Sequence, residues 1–422
     1  MARIVILGAG TAGTIMANRL RRRYAAEVDR GATQVTVIDQ DDKHIYQPGL
    51  LFIPFGIYHP EEIVRSRRGQ LHDKVEYRAS AVQRLHPDAR EVELSDGERV
   101  PYDVCIIASG TRIAPEETDG LTGPGWKTKM FDFYTLEGAT ALANAFANWK
   151  GGRLVINVVE MPIKCPVAPL EFSFLADWFF TMRGIRDKVD ITYATPLDGA
   201  FTKPVSARAL GHLLEEKHVN LVTEFSAGRV DGEAGVLTSW DEREVPFDIL
   251  VSIPLHQGAD FVKNTPGLGD DAGFVKTDHH TLQSKLTPSI FAIGDATNVP
   301  ASKAGSVAHF EGEILEENIV RFLEGEAPEP AFDGHANCFI ETGFDKALLI
   351  DFNYTTEPLP GKFPFAKIGP MTLLGESKFN HLGKMAFKWI YWNMLLPGHD
   401  MPGIKPQMTM TGKDVPATVT TT

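Results

Sequence analysis

One of the three cysteines of this chain stands in a setting where a thiol could react. Cys165 lies in the glycine-free stretch Val158–Pro169, between a short apolar strand and an aromatic helix. Pro166 follows it directly, and proline is favoured in the first turn of a helix. A helix that begins there would place its positive end beside the sulfur and lower the thiol pKa. The sequence therefore predicts a reactive thiolate at Cys165, with an inert turn cysteine as the alternative.

The other two cysteines have settings that favour the core. Cys338 lies in the strand-like stretch "HANCFIETG" and, taken alone, reads as a small core residue. Cys105 lies inside the apolar strand "VCIIA" and is predicted to be buried. Three cysteines are too few for a disulfide-stapled fold, and neither C-x-x-C nor H-E-x-x-H occurs, so no metal site is predicted.

The glycine-rich stretch near residue 10 has the spacing of a dinucleotide-binding loop. The apolar strand Arg3–Leu7 leads into "GAGTAG", and a helix is predicted from there to about Tyr24. Glycines here permit a tight turn and let backbone N–H groups reach a pyrophosphate, while the acid that ends the next strand could bind a ribose hydroxyl. A purely structural glycine turn is the alternative. The predicted contacts are Gly8, Gly10, Thr11, Ala12, Gly13 and Asp39.

Two later strands, in "YDVCIIASGTR" and "PSIFAIGDAT", end in turns that would hold the rest of the same nucleotide. Glycine in such a turn allows close approach, and an aspartate can bind a hydroxylated chain. The predicted contacts are Gln47, Val82, Ala108, Ser109, Gly110, Gly294, Asp295, Lys303 and Gly305.

The second strand–turn–helix lacks the glycine loop that a nicotinamide dinucleotide would need. Side chains and prolines in Val158–Pro169 would keep the backbone away from a pyrophosphate, and Pro166 has no N–H to donate. NAD(P)H is therefore not expected as the electron donor.

The net charge and the pattern of apolar residues limit which partners the protein can have and where in the cell it can lie. The 422 residues carry a net charge of −13, which argues against nucleic acid as a partner. The first residues enter a strand without the apolar region of a signal peptide, and no uncharged apolar run reaches the ~18 residues of a spanning helix. We therefore expect a cytoplasmic protein that can still lie on a membrane surface.

A predicted helix over residues 378–396 carries an apolar stripe with basic edges. Lys378, Lys384 and Lys388 flank apolar residues that are mostly three or four apart. Such a helix can lie in a membrane interface, with lysines at the headgroups and tryptophans at the boundary, or it can pack on its own domain. The stripe consists of Phe379, Leu382, Met385, Phe387, Ile390, Tyr391, Met394 and Leu395, broadened by Trp389 and Trp392.

In their order along the chain these motifs resemble those of the sulfide:quinone oxidoreductases. That family belongs to the two-dinucleotide-domain flavoproteins, together with flavocytochrome c sulfide dehydrogenase and the type 2 NADH dehydrogenases. The matching stretches span nearly the whole chain and are "GAGTAG", "KCPVAP", "FAIGDAT", "SKAG", "CFIETG" and "GKMAF".

The resemblance implies an α/β fold with two Rossmann-like FAD/NAD(P)-binding-type domains and a C-terminal membrane-contacting region. The FAD-binding domain would comprise residues 1–134 and 249–330, and the second domain residues 135–248. Residues 331–422 would form the C-terminal region, with Cys338, the amphipathic helix and a frayed tail. The protein would lie peripherally on the cytoplasmic side of a membrane. Whether it forms a homo-oligomer stays an open question.

The resemblance also implies the chemistry. Cys165 and Cys338 would form a redox pair beside FAD, joined directly or through extra sulfur. Sulfide attacks the pair, a persulfide forms, two electrons pass through FAD to a membrane quinone, and sulfur leaves as zero-valent sulfur or polysulfide. The other implied residues are Glu160 as a base for sulfide, Lys303 beside the flavin, and Phe387 and Lys384 at the quinone.

One departure from the family leaves alternatives open. Many members carry a third functional cysteine, but Thr111–Thr135 contains none, and neither does "HIYQPGLL". We therefore expect non-covalent FAD and a two-cysteine mechanism. The alternatives are a sulfide dehydrogenase flavoprotein with a cytochrome acceptor, a type 2 NADH:quinone oxidoreductase, and a flavin-bound sensor without turnover.

Overall fold

A computed structural model describes residues 1–415, so the predicted Thr-rich tail lies outside the described residues. Within them the α-helices are α1 Thr11–Arg23, α2 Ala25–Asp29, α3 Leu136–Asn148, α4 Ala168–Met182, α5 Pro204–Glu216, α6 Asp260–Lys263, α7 Gly305–Leu323 and α8 Lys378–Ile390.

The first domain is built on a five-stranded parallel sheet. Its strands, in spatial order, are Ile290–Ala292, Val104–Ile107, Ala2–Leu7, Thr33–Asp39 and Glu76–Ala79. The central strand is buried on both faces, because Ile4 and Ile6 pack into one apolar cluster while Val5 and Leu7 pack into another. A near-continuous apolar strand is what burial on both faces requires. The predicted strand–loop–helix–strand unit around "GAGTAG" is therefore confirmed.

The second domain has its own five-stranded parallel sheet. Its strands, in spatial order, are Met130–Phe131, Ile249–Ile253, Gly152–Val158, Val189–Ala194 and Val219–Val222. The predicted domain boundaries at 134 and 249 are wrong at both ends. Ile249–Ile253 lies inside this sheet, between its neighbours, because it pairs with both Met130–Phe131 and Gly152–Val158. The chain returns to the first domain only after Ile253.

The C-terminal region forms a four-stranded sheet covered by α8. Its strands, in spatial order, are Ala336–Gly343, Lys346–Phe352, Met371–Leu373 and Gly361–Phe363. The remaining strands make small peripheral sheets: Lys43–Ile45 with Val64–Ser66; Val82–His86, Glu91–Leu94 and Arg99–Pro101; Ala227–Asp231, Val236–Ser239 and Glu244–Pro246; and Arg112–Ile113 with His256–Gln257.

The predicted helix at 378–396 is α8 extended by a π-helical turn, Tyr391–Leu395. Its apolar stripe divides between two environments. Phe379, Leu382 and Trp389 are exposed, whereas Tyr391 and Leu395 are buried. Of the two tryptophans, Trp392 follows the alternative of packing on its own domain, because it is buried beneath the guanidinium of Arg65, 4.3 Å from its ring centre. Among residues 1–415 no helix combines the length and apolar character needed to cross a bilayer.

Candidate active site

A cavity of about 400 Å³ opens where the carboxyl ends of the two parallel sheets meet the C-terminal region. The helices α1, α4 and α7 all begin at residues that line this cavity or lie next to it. The predicted residues that line it are Gly8, Gly10, Thr11, Ala12, Asp39, Gln47, Ala108, Ser109, Gly110, Cys165, Gly294, Asp295, Lys303, Gly305, Cys338, Lys384 and Phe387.

The end of the cavity near α1 has the features of a dinucleotide site. Gly10 caps α1, and a Cβ built on it would meet no atom within 4 Å, so the loop is open to a ligand. The hydroxyls of Ser109 and Thr111 are buried and have no hydrogen-bond partner among the described residues. Asp39 Oδ2 accepts from Ala9 N and from Arg67 Nη1, both at 2.6 Å. A helix N-terminus, unpartnered hydroxyls and an acid fit the pyrophosphate and ribose of FAD.

The Gly294–Asp295 turn brings a buried cluster of charges to the same cavity. Lys303 Nζ donates to the carbonyls of Thr297, at 2.6 Å, and Asp295, at 3.0 Å. Burial raises the pKa of the Asp295 carboxyl, and the charge of Lys303 partly opposes this. Burial also raises the pKa of Glu311, whose Oε2 accepts from Gly294 N at 2.6 Å, to about 8. Lys303 and the three helix N-termini supply positive potential that would stabilise an anionic reduced flavin.

Cys165 is held in a loop that reaches across to the first domain. Its N–H donates to the carbonyl of Lys303 at 2.6 Å, and its carbonyl accepts from the hydroxyl of Tyr134 at 3.3 Å. Its φ of +50° is uncommon for a residue other than glycine, and such conformations concentrate at functional sites. This loop therefore presents a cysteine to the cavity that the dinucleotide loop lines.

The prediction of a lowered pKa at Cys165 is wrong. The helix begins only at Ala168, three residues further on, so the sulfur is not part of its first turn. Burial raises the pKa of the Cys165 thiol, the charge of Glu171 raises it further, and the charge of Lys384 opposes both. The cysteine lies in the predicted turn before the helix, but its surroundings raise the thiol pKa instead of lowering it.

Cys338 supplies a second thiol to the same cavity from the strand Ala336–Gly343. Burial raises its thiol pKa to about 12, and Lys384 opposes that rise. Neither cysteine is bridged in this structure, and Cys105 is fully buried in the core of the first domain, as predicted. Two thiols that are 173 positions apart in the chain therefore share one cavity.

Lys384 lies in the cavity wall and is paired with an acid. Its Nζ lies 2.6 Å from Glu171 Oε1 and 3.2 Å from the carbonyl of Phe339. Burial alone would lower the pKa of Lys384, but the charge of Glu171 and the hydrogen bond to it outweigh the effect of burial and raise that pKa. The other oxygen, Glu171 Oε2, has no partner within residues 1–415. The inner wall of the cavity thus contains a charged pair with one free acceptor.

Three predicted residues do not line the cavity. Gly13 lies beneath it, where a Cβ would fall 1.8 Å from the carbonyl oxygen of Gly8, so this glycine allows α1 to approach the strand rather than a ligand. Val82 begins a strand of a peripheral antiparallel sheet. Glu160 is exposed, and its carboxylate accepts from the N–H of Met161 at 2.8 Å. We therefore withdraw Val82 as a cofactor contact and Glu160 as a base.

Several wall residues were not predicted from the sequence. Glu171 had a signal, since it is the single charged residue in the mostly apolar first half of α4. Tyr391 had been counted only as part of the apolar stripe. Its hydroxyl hydrogen bonds to Thr11 Oγ1 at 2.8 Å and His44 Nε2 at 2.6 Å, and it thereby ties the C-terminal region to the dinucleotide loop. Pairings of this kind depend on tertiary structure and leave no local pattern.

Comparison with known proteins gives consistent matches. Residues 2–156 match the family model described as pyridine nucleotide-disulphide oxidoreductase. The mitochondrial sulfide:quinone oxidoreductase of Mus musculus is 28% identical over 402 residues, which cover 94% of this chain and 86% of that protein. The Schizosaccharomyces pombe protein of the same name is 24% identical, with 93% of this chain and 89% of that protein covered.

Among solved structures, the sulfide:quinone oxidoreductase of Aquifex aeolicus superposes with a TM-score of 0.79 at 20% identity. The match covers 94% of this chain and 92% of that one. The predicted α/β fold of two dinucleotide-type domains and the predicted resemblance are both confirmed. The chain is thus similar over nearly its whole length to the sulfide:quinone oxidoreductases, and the geometry of the dinucleotide end fits an FAD-binding oxidoreductase.

Proposed function

We propose that the protein oxidises sulfide to zero-valent sulfur or polysulfide through Cys165 and Cys338 and passes the electrons through FAD to a membrane quinone. The observation that carries the proposal is that both cysteines line the cavity that the dinucleotide-binding loops also line. Curated relatives that match nearly the whole chain bear the name of this reaction. FAD bound there would accept an electron pair from the cysteines and deliver it to the quinone.

The raised thiol pKa values favour a reaction that begins from a bridged pair. When hydrosulfide attacks a bridge between Cys165 and Cys338, hydrosulfide is the nucleophile, so neither thiol needs to be ionised beforehand. The attack leaves a persulfide on one cysteine and a thiolate on the other. Closure of these two groups to a trisulfide bridge releases one proton and two electrons. Lys384 favours the thiolate form of both cysteines.

The other end of the cavity suits a quinone. Phe387 offers an aromatic face there, and Lys384 and Glu171 offer a donor and an acceptor. An apolar wall with a few polar groups is the usual composition of a site for a small ring compound. We assign this end to the quinone, with Phe387 against the ring and Lys384 near a ring oxygen.

The positions of the cysteines support non-covalent attachment of FAD. Cys165 and Cys338 are the two that line the cavity, and the sulfur chemistry needs both. Cys105 is fully buried in the core of the first domain and lies outside the cavity wall. Flavin should therefore leave the protein on denaturation, and flavin retained on the unfolded chain would contradict this assignment.

The function is tested by the choice of reductant. Anaerobic holoenzyme is mixed with sulfide or with NADH, and absorbance in the flavin band is followed. We expect rapid bleaching by sulfide and recovery of the oxidised spectrum when a short-chain ubiquinone is added. Bleaching by NADH with sulfide inert would overturn the proposal and favour an NADH:quinone oxidoreductase.

We also propose that the exposed face of α8 rests on the membrane that holds the quinone. Phe379, Leu382 and Trp389 are 59%, 59% and 63% exposed and lie three and seven positions apart on one face. Large apolar side chains in a row on a surface helix indicate an interaction site. The same helix contributes Phe387 and Lys384 to the cavity, so a membrane on its outer face would deliver a quinone to its inner face.

Replacing these three side chains with serine should abolish binding to anionic phospholipid vesicles in a flotation assay, because the buried apolar area is lost. The matched control is Trp240→Ser, since Trp240 is 78% exposed in the turn that follows the strand Val236–Ser239 of a peripheral sheet. That control should bind like the wild type. Equal binding by the triple variant would show that α8 does not make the contact.

A further inference from the structure

Four titratable residues lie in succession between the protein surface and the inner wall of the cavity. They are Asp345, His381, Glu341 and Glu171, with Lys384 beside the last. We propose that Glu341 and His381 form a proton path from solvent to the quinone end of the cavity. The inference rests on the proposed quinone acceptor and assigns two further residues to its reduction.

The inner end of the path is buried. Glu171 is fully buried, and its Oε1 accepts from both Lys384 Nζ, at 2.6 Å, and the backbone N–H of Glu341, at 2.7 Å. Its Oε2 is buried and has no partner among the described residues. A carboxyl that lines the cavity with one oxygen unoccupied can exchange a proton with a ligand there.

The outer end of the path reaches solvent. Glu341 is only 2% exposed, and its Oε1 lies 2.8 Å from His381 Nδ1. The His381 side chain is 22% exposed, and its Nε2 lies 3.9 Å from a carboxylate oxygen of Asp345, which is 79% exposed. The imidazole therefore has one nitrogen on the buried acid and the other towards water, which is the arrangement of a proton shuttle.

The two acids lie close to each other across the join between α4 and the strand Ala336–Gly343. The backbone N–H of Glu341 donates to Glu171 and so holds the two residues in contact, although their side chains are not hydrogen bonded to each other. Glu341 Oε2, like Glu171 Oε2, is buried without a partner in residues 1–415. Two unsatisfied carboxyl oxygens in one buried cluster are the kind of polar site that an ordered water bridges.

The surroundings of Glu341 allow it to change charge near neutral pH. It faces His381 and Lys384 from α8, Glu171 from α4 and the phenol of Tyr58 from the segment that follows Gln47–Phe55. Burial raises the pKa of Glu341 to about 7, with the charges of His381 and Lys384 opposing the rise and that of Glu171 adding to it.

Quinone reduction needs such a path. A quinone takes up two electrons and two protons to become a quinol. Both electrons and one proton reach it from an anionic reduced flavin, so the second proton must come from water. In the proposed path that proton moves from solvent to His381, to Glu341, and through Glu171 or Lys384 to a quinone oxygen.

The two half-reactions separate this inference from the function on which it rests. Holoenzyme reduced anaerobically with dithionite is mixed with a short-chain ubiquinone across neutral pH, and flavin reoxidation is followed. Glu341→Gln should slow reoxidation on the order of 100-fold and remove its pH dependence. His381→Gln should slow it less, and added imidazole should restore it. Reduction of the flavin by sulfide should change far less in both variants.

A control and a second readout make the result decisive. His212→Gln should behave like the wild type, since His212 is an exposed histidine that also pairs with a glutamate, Glu216, on α5. One component of the infrared carbonyl band of protonated carboxylic acids should titrate near neutral pH in the wild type and be lost in Glu341→Gln, whereas the component of Glu311, whose pKa is raised to about 8, should remain. Unchanged reoxidation in both variants, or an unchanged band, would overturn the path. Failure of quinone to reoxidise the reduced wild type would overturn the proposed acceptor as well.

Discussion

Replacing Cys165 with serine should slow reduction of the flavin by sulfide on the order of 10⁴-fold or more, because a hydroxyl cannot form the bridge that sulfide attacks. Cys338→Ser should slow the reaction to the same extent, because the bridge needs both sulfurs. The measurement is flavin absorbance under anaerobic sulfide, normalised to bound FAD. Both sulfurs line the cavity, so the loss should appear in the rate and not in the flavin content.

Cys105→Ser is the matched control for the two variants. Its thiol is fully buried in an apolar cluster of the first domain and lies outside the cavity wall. It should cost some stability, because a hydroxyl is placed among apolar side chains, while sulfide still reduces the bound flavin at nearly the wild-type rate. Wild-type rates in Cys165→Ser or in Cys338→Ser would remove the cysteine pair from the mechanism.

The thiol pKa of Cys165 is a property that the sequence alone could not predict. The sequence predicted its position in a turn before a helix, because proline and the change of pattern are local signals. The pKa depends instead on burial and on Glu171 and Lys384, which are separated by 213 positions in the chain. Contacts between distant segments decide such quantities, and no local pattern encodes them.

The domain boundary at residue 249 shows the same limit for the fold. Ile249–Ile253 is mostly apolar and buried, and a buried parallel strand fits either of the two five-stranded sheets equally well. By contrast, the loops at Gly8–Gly10 and Gly294–Asp295 were predicted correctly, since each depends on a turn between adjacent elements. Local motifs therefore predict the turns at the cofactor end of the cavity, whereas contacts between distant segments determine its inner wall.

Replacing Lys384 with methionine should lower the free energy of unfolding by about 3–5 kcal/mol, because Glu171 would be left as an uncompensated buried charge. The change is measured as the shift of urea unfolding for flavin-saturated protein. Adding Glu171→Gln to the same chain should recover most of the loss, since an uncharged pair of similar volume has no such penalty. A double variant as unstable as Lys384→Met alone would show that the charge on Glu171 is not the cause.

The defect in Lys384→Met should grow as the pH rises. Burial raises the pKa of Glu171 above its ordinary value, and removal of the lysine charge, which opposes that rise, should raise it further. The folded state then holds a proton that the unfolded state releases above the ordinary glutamate range, so the stability falls with increasing pH until the folded-state pKa is passed. The variant should therefore be closer to the wild type in acid than in alkali, and the double variant should lose this dependence.

Lys388→Met is the control, because it removes a lysine one turn further along the same helix. Lys388 Nζ lies 3.5 Å from Glu62 Oε1, and both side chains reach solvent. Water screens such a pair, so its loss should cost at most about 1 kcal/mol, and the cost should not grow with pH as it does for Lys384→Met. Equal losses in the two lysine variants would mean that α8 is held by its apolar contacts and that the buried pair serves the chemistry of the cavity alone.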